Sequence, residues 1–531
     1  VVKAFNDDKP YDEFLIQQIA GDLLPHASNG ERVENLAATG YLALGARVLA
    51  EPDVQKMEMD IIDEQIDSLG KAFLGMTFGC CRCHDHKFDP VPTADYYALA
   101  AIFKSTKSLS EEKMGAIKFW YEHSLATPEQ LEAKKKHDAL VAAQNSKLKQ
   151  LTTQLRNQLK TELHGNAARY LAAAVTLPAD AKFSEVEKVA KAEQLRPRYL
   201  LTCRQYLARS VDHPFFKKWH ELASQGKKAA VLAHYSPLFA QALAATAKEK
   251  TPAKPTEPTL AAAHEALNDI AGFLAIPDKD ANAFDGEMLA GVEQMQNEVM
   301  KIERQAPDPP ALMGVKDGSI SKSLPIHIRG SYLTLGKAID RGFPEVMRAS
   351  LNSKPVLPSK QSGRLELARW MASSEHPLTA RVMVNRLWRW HFGAGLVKTT
   401  DNFGPLGEKP PHPELPDWLA RRFIESGWSV KDMHRMMMKS ATYQMASAHP
   451  SAGQPSSGAD PLLVDPENRL LWRANLQRLE AEQIRDAMLA VGGTLSLEMG
   501  GKTVPLRNRE FVFNHTSKDR TQYETPRRAL Y

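Results

Sequence analysis

Residues 53–73 read DVQKMEMDIIDEQIDSLGKAF and decide the fold class. Apolar side chains recur there at i, i+4, i+7 and i+11, at Ile62, Ile66, Leu69 and Phe73. This helical period predicts an amphipathic helix with one buried face. The other face carries Asp60, Glu64 and Asp67, which we interpret as a solvated charged face in preference to a calcium site.

Helical periodicity extends over most of the chain. Further helices are predicted at residues 11–24, 33–49, 93–103, 365–372 and 377–392, and short strands at 325–329 and 510–513. A leucine stripe in a segment rich in lysine, glutamine and alanine lies at Leu148, Leu151, Leu155 and Leu159. We therefore expect a mainly α, multi-domain helical protein with a helical-hairpin or coiled-coil arm and a few short strands.

The length of the chain indicates more than one domain. Its 531 residues and 59.0 kDa exceed what one hydrophobic core usually serves. Proline clusters near residues 252–258 and 307–310 are typical of extended linkers. The predicted domains are residues 1–115, which carry the cysteines, residues 116–310, a helical arm or spacer, and residues 311–531.

Composition and charge exclude several classes of protein. Lys plus Arg total 68 and Asp plus Glu total 63, a balance of +5 that does not indicate a nucleic-acid partner. The longest apolar run, near residues 96–103, is much shorter than the roughly 18 residues of a membrane span, so no transmembrane segment is expected. The chain opens on Val1 without a methionine, which suggests a processed chain or a fragment.

Three of the four cysteines lie within residues 79–90, which read GCCRCHDHKFDP. Cys80, Cys83 and His84 form C-x-x-C-H, the attachment signature of c-type haem. Two thiols one turn apart can add to the two vinyl groups of the porphyrin, and the next residue places an imidazole under the iron. So few cysteines also exclude a scaffold built from disulfides.

Other interpretations of this cluster stay open. The two thiolates could bind zinc or another divalent metal together with His84 and His86, although no second C-x-x-C supplies distant ligands. The cysteines could also be buried and structural, without any cofactor, although the motif favours haem. Cys81 adds a third thiol that could compete for haem or form a disulfide with Cys83.

A haem iron held by His84 has a second axial position. Its candidate ligands are His412, His391 and Met76. His412 lies between two prolines, which would hold the imidazole at a fixed reach or simply form a rigid corner. His391 shares a helix stripe with apolar residues, which is more typical of a core histidine. A methionine ligand would raise the reduction potential relative to histidine, and an open position would permit redox catalysis.

Two further function classes are compatible with the residues. A metal-dependent hydrolase or lyase would join two clusters across a domain interface: His84, Asp85, His86 and Asp89 with His412 and Glu414. Mixed imidazole and carboxylate ligands suit metal-assisted chemistry. The other class is a non-catalytic cell-envelope scaffold whose working part is the helical arm.

Several stretches resemble a known pair of domains. Residues 5–25, FNDDKPYDEFLIQQIAGDLLP, and 79–103, GCCRCHDHKFDPVPTADYYALAAIF, are similar to the cytochrome-like domain of unknown function found in planctomycetes. Residues 379–420, TARVMVNRLWRWHFGAGLVKTTDNFGPLGEKPPHPELPDWLA, resemble the planctomycete-specific domain that usually follows it, as do residues 478–493, RLEAEQIRDAMLAVGG. The resemblance covers about half of the chain, which would begin inside the first domain and stop inside the second.

The resemblance implies an exported protein of the periplasm or cell surface. The C-x-x-C-H of the family carries over to Cys80, Cys83 and His84, although relatives usually have a small residue where this chain has Cys81. The expected function is that of a c-type haem protein in electron transfer, or in oxidation of an envelope or polysaccharide-derived substrate. Its expected partner is a redox protein or a small substrate. A carbohydrate substrate is suggested only by the frequent association of the family with sulfatases. Whether the protein is an enzyme stays open.

Overall fold

The computed structural model of the protein describes residues 1–48, 51–114, 117–246, 255–348, 356–448, 460–501 and 524–530. The chain forms two compact units. The discontinuous unit comprises Val1–Thr127 and Asp308–Tyr531, and the helical unit comprises Pro128–Pro307. Helices predominate in both, which confirms the predicted mainly α class. The strand predicted at residues 510–513 lies outside the described residues.

The first part of the discontinuous unit is a set of helices followed by short strands. The helices are α1 (Val2–Asn6), α2 (Tyr11–Ala20), α3 (Asn29–Ala38), α4 (Val54–Leu69) and α5 (Thr93–Lys104). The strands are β1 (Thr106–Lys107), β2 (Leu109–Met114), β3 (Ile117–Trp120) and β4 (Glu122–Ser124). Helix α3 begins earlier than the predicted residue 33, because the Ser28 hydroxyl accepts a hydrogen bond from the Glu31 backbone N–H at 3.1 Å and caps the helix there.

The helical unit has a hydrophobic core of its own. Its helices are α6 (Pro128–Gly165), α7 (Ala167–Ala174), α8 (Phe183–Ala192), α9 (Pro197–Arg209), α10 (Lys217–Ala223), α11 (Lys228–Thr246), α12 (Pro258–Asn268), α13 (Asp280–Ala283) and α14 (Gly286–Glu303). Helices α6 and α14 run antiparallel, joined by hydrogen bonds from His137 to the Ile302 carbonyl and from Gln144 to Glu298. The predicted leucine stripe of α6 packs into this core, with Leu159 fully buried.

The second part of the discontinuous unit completes its small sheets and adds a helical layer. The strands are β5 (Ala311–Met313), β6 (Lys316–Asp317), β7 (Ser323–His327) and β8 (Leu335–Asp340). The helices are α15 (Glu345–Arg348), α16 (Arg364–Met371), α17 (Thr379–Phe392), α18 (Glu414–Glu425), α19 (Val430–Lys439), α20 (Pro461–Val464) and α21 (Ala481–Val491). Antiparallel pairs form between β1 and β6, β2 and β3, β4 and β5, and β7 and β8. Strand β7 overlaps the predicted strand at residues 325–329.

A single core joins the two parts of the discontinuous unit. It packs Leu15 and Ile66 from the first part with Leu367 and Phe423 from the second. Amphipathic helices of about ten residues cannot bury their apolar faces alone, so the two segments depend on each other for burial. Segments that the sequence divides into a first and a third domain therefore share one compact unit. None of the described helices combines the length and apolarity that crossing a membrane requires.

Candidate functional site

The C-x-x-C-H motif forms a tight turn between α4 and α5, and we call residues 79–84 the cysteine turn. Gly79–Arg82 is a 3-10 turn. The Cys80 carbonyl accepts hydrogen bonds from the backbone N–H groups of Cys83 at 3.3 Å and His84 at 3.4 Å. The side chains of Cys80, Cys83 and His84 are all exposed. The two thiols and the imidazole of the motif are therefore accessible from solvent.

Cys81 lies on the opposite side of the turn. Its thiol is fully buried and donates to the Val91 carbonyl at 3.4 Å. Burial raises the pKa of the Cys81 thiol to about 12, because an apolar environment disfavours the thiolate. The third cysteine is thus separated from the exposed pair and is held in its unreactive protonated form.

We predict that alkylation distinguishes these thiols. Treatment of the folded protein with iodoacetamide near neutral pH should label Cys80 and Cys83 but spare Cys81 and the buried Cys203. Since the thiolate is the nucleophile, the raised pKa alone should slow Cys81 roughly a thousandfold relative to an unperturbed thiol. Peptide mass spectrometry before and after unfolding measures the labelling. Equal labelling of Cys80 and Cys81 in the folded protein would contradict the burial described here.

The His84 ring is oriented by a hydrogen bond to the backbone. Its Nδ1 lies 2.7 Å from the carbonyl oxygen of Asp85. A carbonyl oxygen only accepts, so the proton is assigned to Nδ1 and the lone pair to Nε2. Metal-bound histidines commonly donate their other N–H to a carbonyl in this way, which fixes the tautomer and the ring. Nε2 of His84 is thereby prepared to accept a metal ion.

Asp85 anchors the end of the turn to helix α5. Its carboxylate accepts a hydrogen bond from the Thr93 backbone N–H at 2.7 Å, at the start of that helix. This bond, which is made to the ionised carboxylate, lowers the pKa of Asp85. The carboxylate is thus engaged in capping α5, and the carbonyl of the same residue holds His84.

His86 and Asp89 are joined by a hydrogen bond that stabilises the loop after the turn. His86 Nδ1 accepts from the Asp89 backbone N–H at 2.8 Å, and its Nε2 lies 3.3 Å from the Thr77 hydroxyl. Asp89 is buried, and its carboxylate packs so closely on Gly404 that a Cβ there would overlap it. Both ring nitrogens of His86 are therefore engaged, one by the loop and the other by Thr77 before the turn. In this arrangement neither nitrogen is available to the alternative metal site that the sequence predicts at His86.

The acidic face of α4 holds the cysteine turn. Arg82 Nη1 lies 2.9 Å from Asp60 and 3.5 Å from Asp63. The Gly79 backbone N–H donates to Asp67 at 3.3 Å. The side chain of Asp60 is 40% exposed and that of Asp67 24%, so this face stays partly solvated while it also binds the turn. Each acid also pairs with a lysine four positions away, Asp60 with Lys56 and Asp67 with Lys71, whereas helical periodicity does not reveal the pairing with the turn.

The three candidate axial ligands have different environments. Met76 is buried in the hydrophobic core. His391 Nε2 is 2.7 Å from Nδ1 of His434, and burial lowers the pKa of both imidazoles. His412 is exposed. Among the described residues no hydrogen bond joins any of these three side chains to His84, and their assignment as axial ligands stays a prediction.

A buried histidine beside the site was missed by sequence reasoning. His327, at the end of β7, packs its ring on Tyr97 with centroids 5.3 Å apart. Its Nδ1 is buried and has no hydrogen-bond partner in the described part of the chain. Burial lowers its pKa, with Arg82 contributing. No local sequence signal identifies His327, because its neighbours come from a distant segment.

The geometry does not assemble a conventional metal-ion site. Within the described ranges, no group of three or more His, Cys, Asp or Glu side chains is placed to hold a metal ion. The second cluster of the predicted hydrolase or lyase, His412 and Glu414, lies at the start of α18, with His412 exposed. The described geometry gives that hypothesis no support, whereas haem attachment needs only the two thiols and one imidazole.

The fold and the site define a mainly α protein with an exposed C-x-x-C-H turn. Residues 1–108 match the family PSCyt2, described as a protein of unknown function (DUF1549), and residues 363–531 match PSD1, described as a protein of unknown function (DUF1553). The chain therefore carries these two domains one after the other, and the resemblance inferred from its sequence is confirmed. No curated protein and no solved structure shows a significant match to the chain.

Proposed function

We propose that the protein is an exported c-type haem protein of the periplasm or cell surface. Cys80 and Cys83 would hold the porphyrin through thioether links, and His84 would bind the iron. Its function is electron transfer, or oxidation of an envelope or polysaccharide-derived substrate, with a redox protein or a small substrate such as a carbohydrate as partner. The proposal rests chiefly on the hydrogen bond from His84 Nδ1 to the Asp85 carbonyl, which directs the lone pair to Nε2 in the same turn as two exposed thiols.

The donor set of the cysteine turn fits the group chemically. Covalent haem requires two accessible thiols one turn apart and an imidazole in the following position, and these side chains are exposed together. Cys81 does not compete, since it is buried and protonated. The paired acids of α4 and the Asp85 cap keep the turn in place before any ligand binds. When bound, the haem would supply one-electron redox chemistry, while these residues hold and orient it.

Haem attachment is tested by expression with export and cytochrome maturation, followed by a pyridine haemochrome spectrum. We expect about one covalent haem per chain. Cys80→Ala and Cys83→Ala should each give the shifted spectrum of a single thioether at reduced yield, and the double variant should lose covalent haem. His84→Ala should alter the coordination of the iron.

The matched control is Cys81→Ala, which removes a cysteine of the same turn whose thiol faces the core. Its haem content and spectrum should equal those of the parent protein. Matured, folded parent protein without haem would overturn the proposal, as would a double variant that still carries covalent haem.

A further inference from the structure

The turn between β7 and β8 touches the cysteine turn, and we call residues 328–334 the hairpin tip. A Cβ built on Gly330 would lie 2.6 Å from Cys83 Sγ, so only a glycine backbone permits this approach. Gly330 has φ +78°, and Arg329 before it also lies in the left-handed region at φ +54°. The sulfur of Cys83 is therefore placed directly against the hairpin tip.

Tyr97 of α5 connects the cysteine turn to the base of the hairpin. Its hydroxyl donates to the carbonyl of Arg82, in the cysteine turn, at 2.9 Å. The same hydroxyl lies 3.3 Å from the carbonyl of His327, at the base of the hairpin. One buried side chain thus spaces the two segments, and the contact between Gly330 and Cys83 does not depend on the hairpin tip alone.

The hairpin exposes more apolar surface than a solvated turn normally does. Leu333 is 79% exposed, Leu335 57% and Ile328 46%. The backbone N–H of Ile328 donates to the Thr334 carbonyl at 2.9 Å and closes the backbone of the tip into a turn. Exposed apolar side chains that lie close together form a surface suited to contact with an apolar ligand or partner.

We propose that the hairpin tip forms the apolar wall of the haem site, with Ile328 and Leu333 packing on the porphyrin. This inference rests on the proposed function. A porphyrin attached through Cys83 begins at a sulfur that already touches Gly330. The exposed apolar groups of the hairpin tip then cover part of its hydrophobic face, and water is excluded from that edge.

The first test measures the reduction potential of matured protein. Leu333→Ser and Ile328→Ser should each lower the potential, because a more solvated haem favours the oxidised, more positively charged form. These exposed positions should tolerate serine without unfolding. The matched control is Leu476→Ser, at a leucine that is 84% exposed elsewhere in the same unit, and it should leave the potential unchanged. Hairpin variants whose potentials equal that of the control would overturn the inference.

The second test uses glycines of matched backbone conformation. Gly330→Ala adds a Cβ against Cys83 Sγ and should reduce the covalent haem yield several-fold. Gly427→Ala is the control, because Gly427 has φ +72° but nothing within 4 Å of its added Cβ. It carries the same backbone strain without the contact, so its yield should stay near that of the parent. Equal yields for the two variants would overturn the inference.

The two proposals fail in distinguishable ways. Parent protein that matures without haem would overturn the proposed function and the hairpin inference together. Parent protein with covalent haem, accompanied by hairpin variants that match their controls, would overturn the hairpin inference alone.

Discussion

Replacing Arg364 by alanine should lower the free energy of unfolding of the discontinuous unit by about 3–5 kcal/mol. Arg364 is fully buried and pairs with Asp22 through two hydrogen bonds, at 2.8 and 2.9 Å. It also donates to Asp317 at 2.9 Å and to the Ile19 carbonyl at 2.9 Å. Removing the guanidinium leaves the buried Asp22 and the partly buried Asp317 without their cation, and that cost exceeds the loss of packing.

Denaturant unfolding followed by tryptophan fluorescence measures this change, because seven of the eight tryptophans belong to the discontinuous unit. Arg422→Ala is the matched control, since Arg422 pairs with Glu425 on the exposed side of α18 at 3.0 Å. An exposed pair contributes less than about 1 kcal/mol. Similar losses for the two variants would contradict the buried network. Arg364→Lys should fall between them, because lysine keeps the charge and loses the bidentate geometry.

The Arg364 network explains why the two family segments share one unit. Asp22 lies in the segment that matches the first family and Arg364 in the segment that matches the second. Asp317, between the two matched segments, also accepts a hydrogen bond from the Ser362 backbone N–H at 2.9 Å. The Asp22 carboxylate is buried and Asp317 partly buried, and the arginine that pairs with Asp22 comes from a distant part of the chain, so neither segment satisfies this network alone.

The local parts of the fold could be predicted from the sequence. Helix α4 and its apolar face follow from the spacing of Ile62, Ile66 and Leu69, because helical periodicity acts over a few turns. The cysteine turn follows from its motif, since C-x-x-C-H is itself a local pattern. Both features depend only on residues close together in the chain.

The contacts that complete the site could not be predicted in this way. Arg364 and Asp22 are 342 positions apart, and the sulfur of Cys83 meets Gly330 across a comparable gap. A single sequence does not reveal which distant segments meet. The axial candidates His391 and Met76 were selected by side-chain chemistry alone, and the structure assigns one to a pair with His434 and the other to the core.

Acidification should destabilise the discontinuous unit through His376. Its side chain is buried, and burial lowers its pKa from 6.5 to about 3. Between these values the unfolded chain binds a proton that the folded chain excludes, so stability rises with pH across this window and is lost as the pH falls. The expected slope is about 1.4 kcal/mol per pH unit. Unfolding free energies of parent and variant proteins, measured from pH 7 to pH 4, test it.

His376→Asn isolates this effect from the other ionisable groups. Nδ1 of His376 accepts from the Thr379 hydroxyl at 3.0 Å and from the backbone N–H groups of Leu378 and Thr379 at 3.3 Å, at the start of α17. A proton on Nδ1 would face these donors, so burial and the local hydrogen bonds both favour the neutral ring. The amide oxygen of asparagine can accept the same hydrogen bonds but does not titrate. The variant should therefore keep the parent's free energy of unfolding near pH 7. Its slope of unfolding free energy against pH should be smaller than the parent's by about 1.4 kcal/mol per pH unit. The control is His26→Asn, at an exposed histidine, which should keep the parent slope. An unchanged slope in His376→Asn would contradict the prediction, because the buried ring would then accept its proton without unfolding.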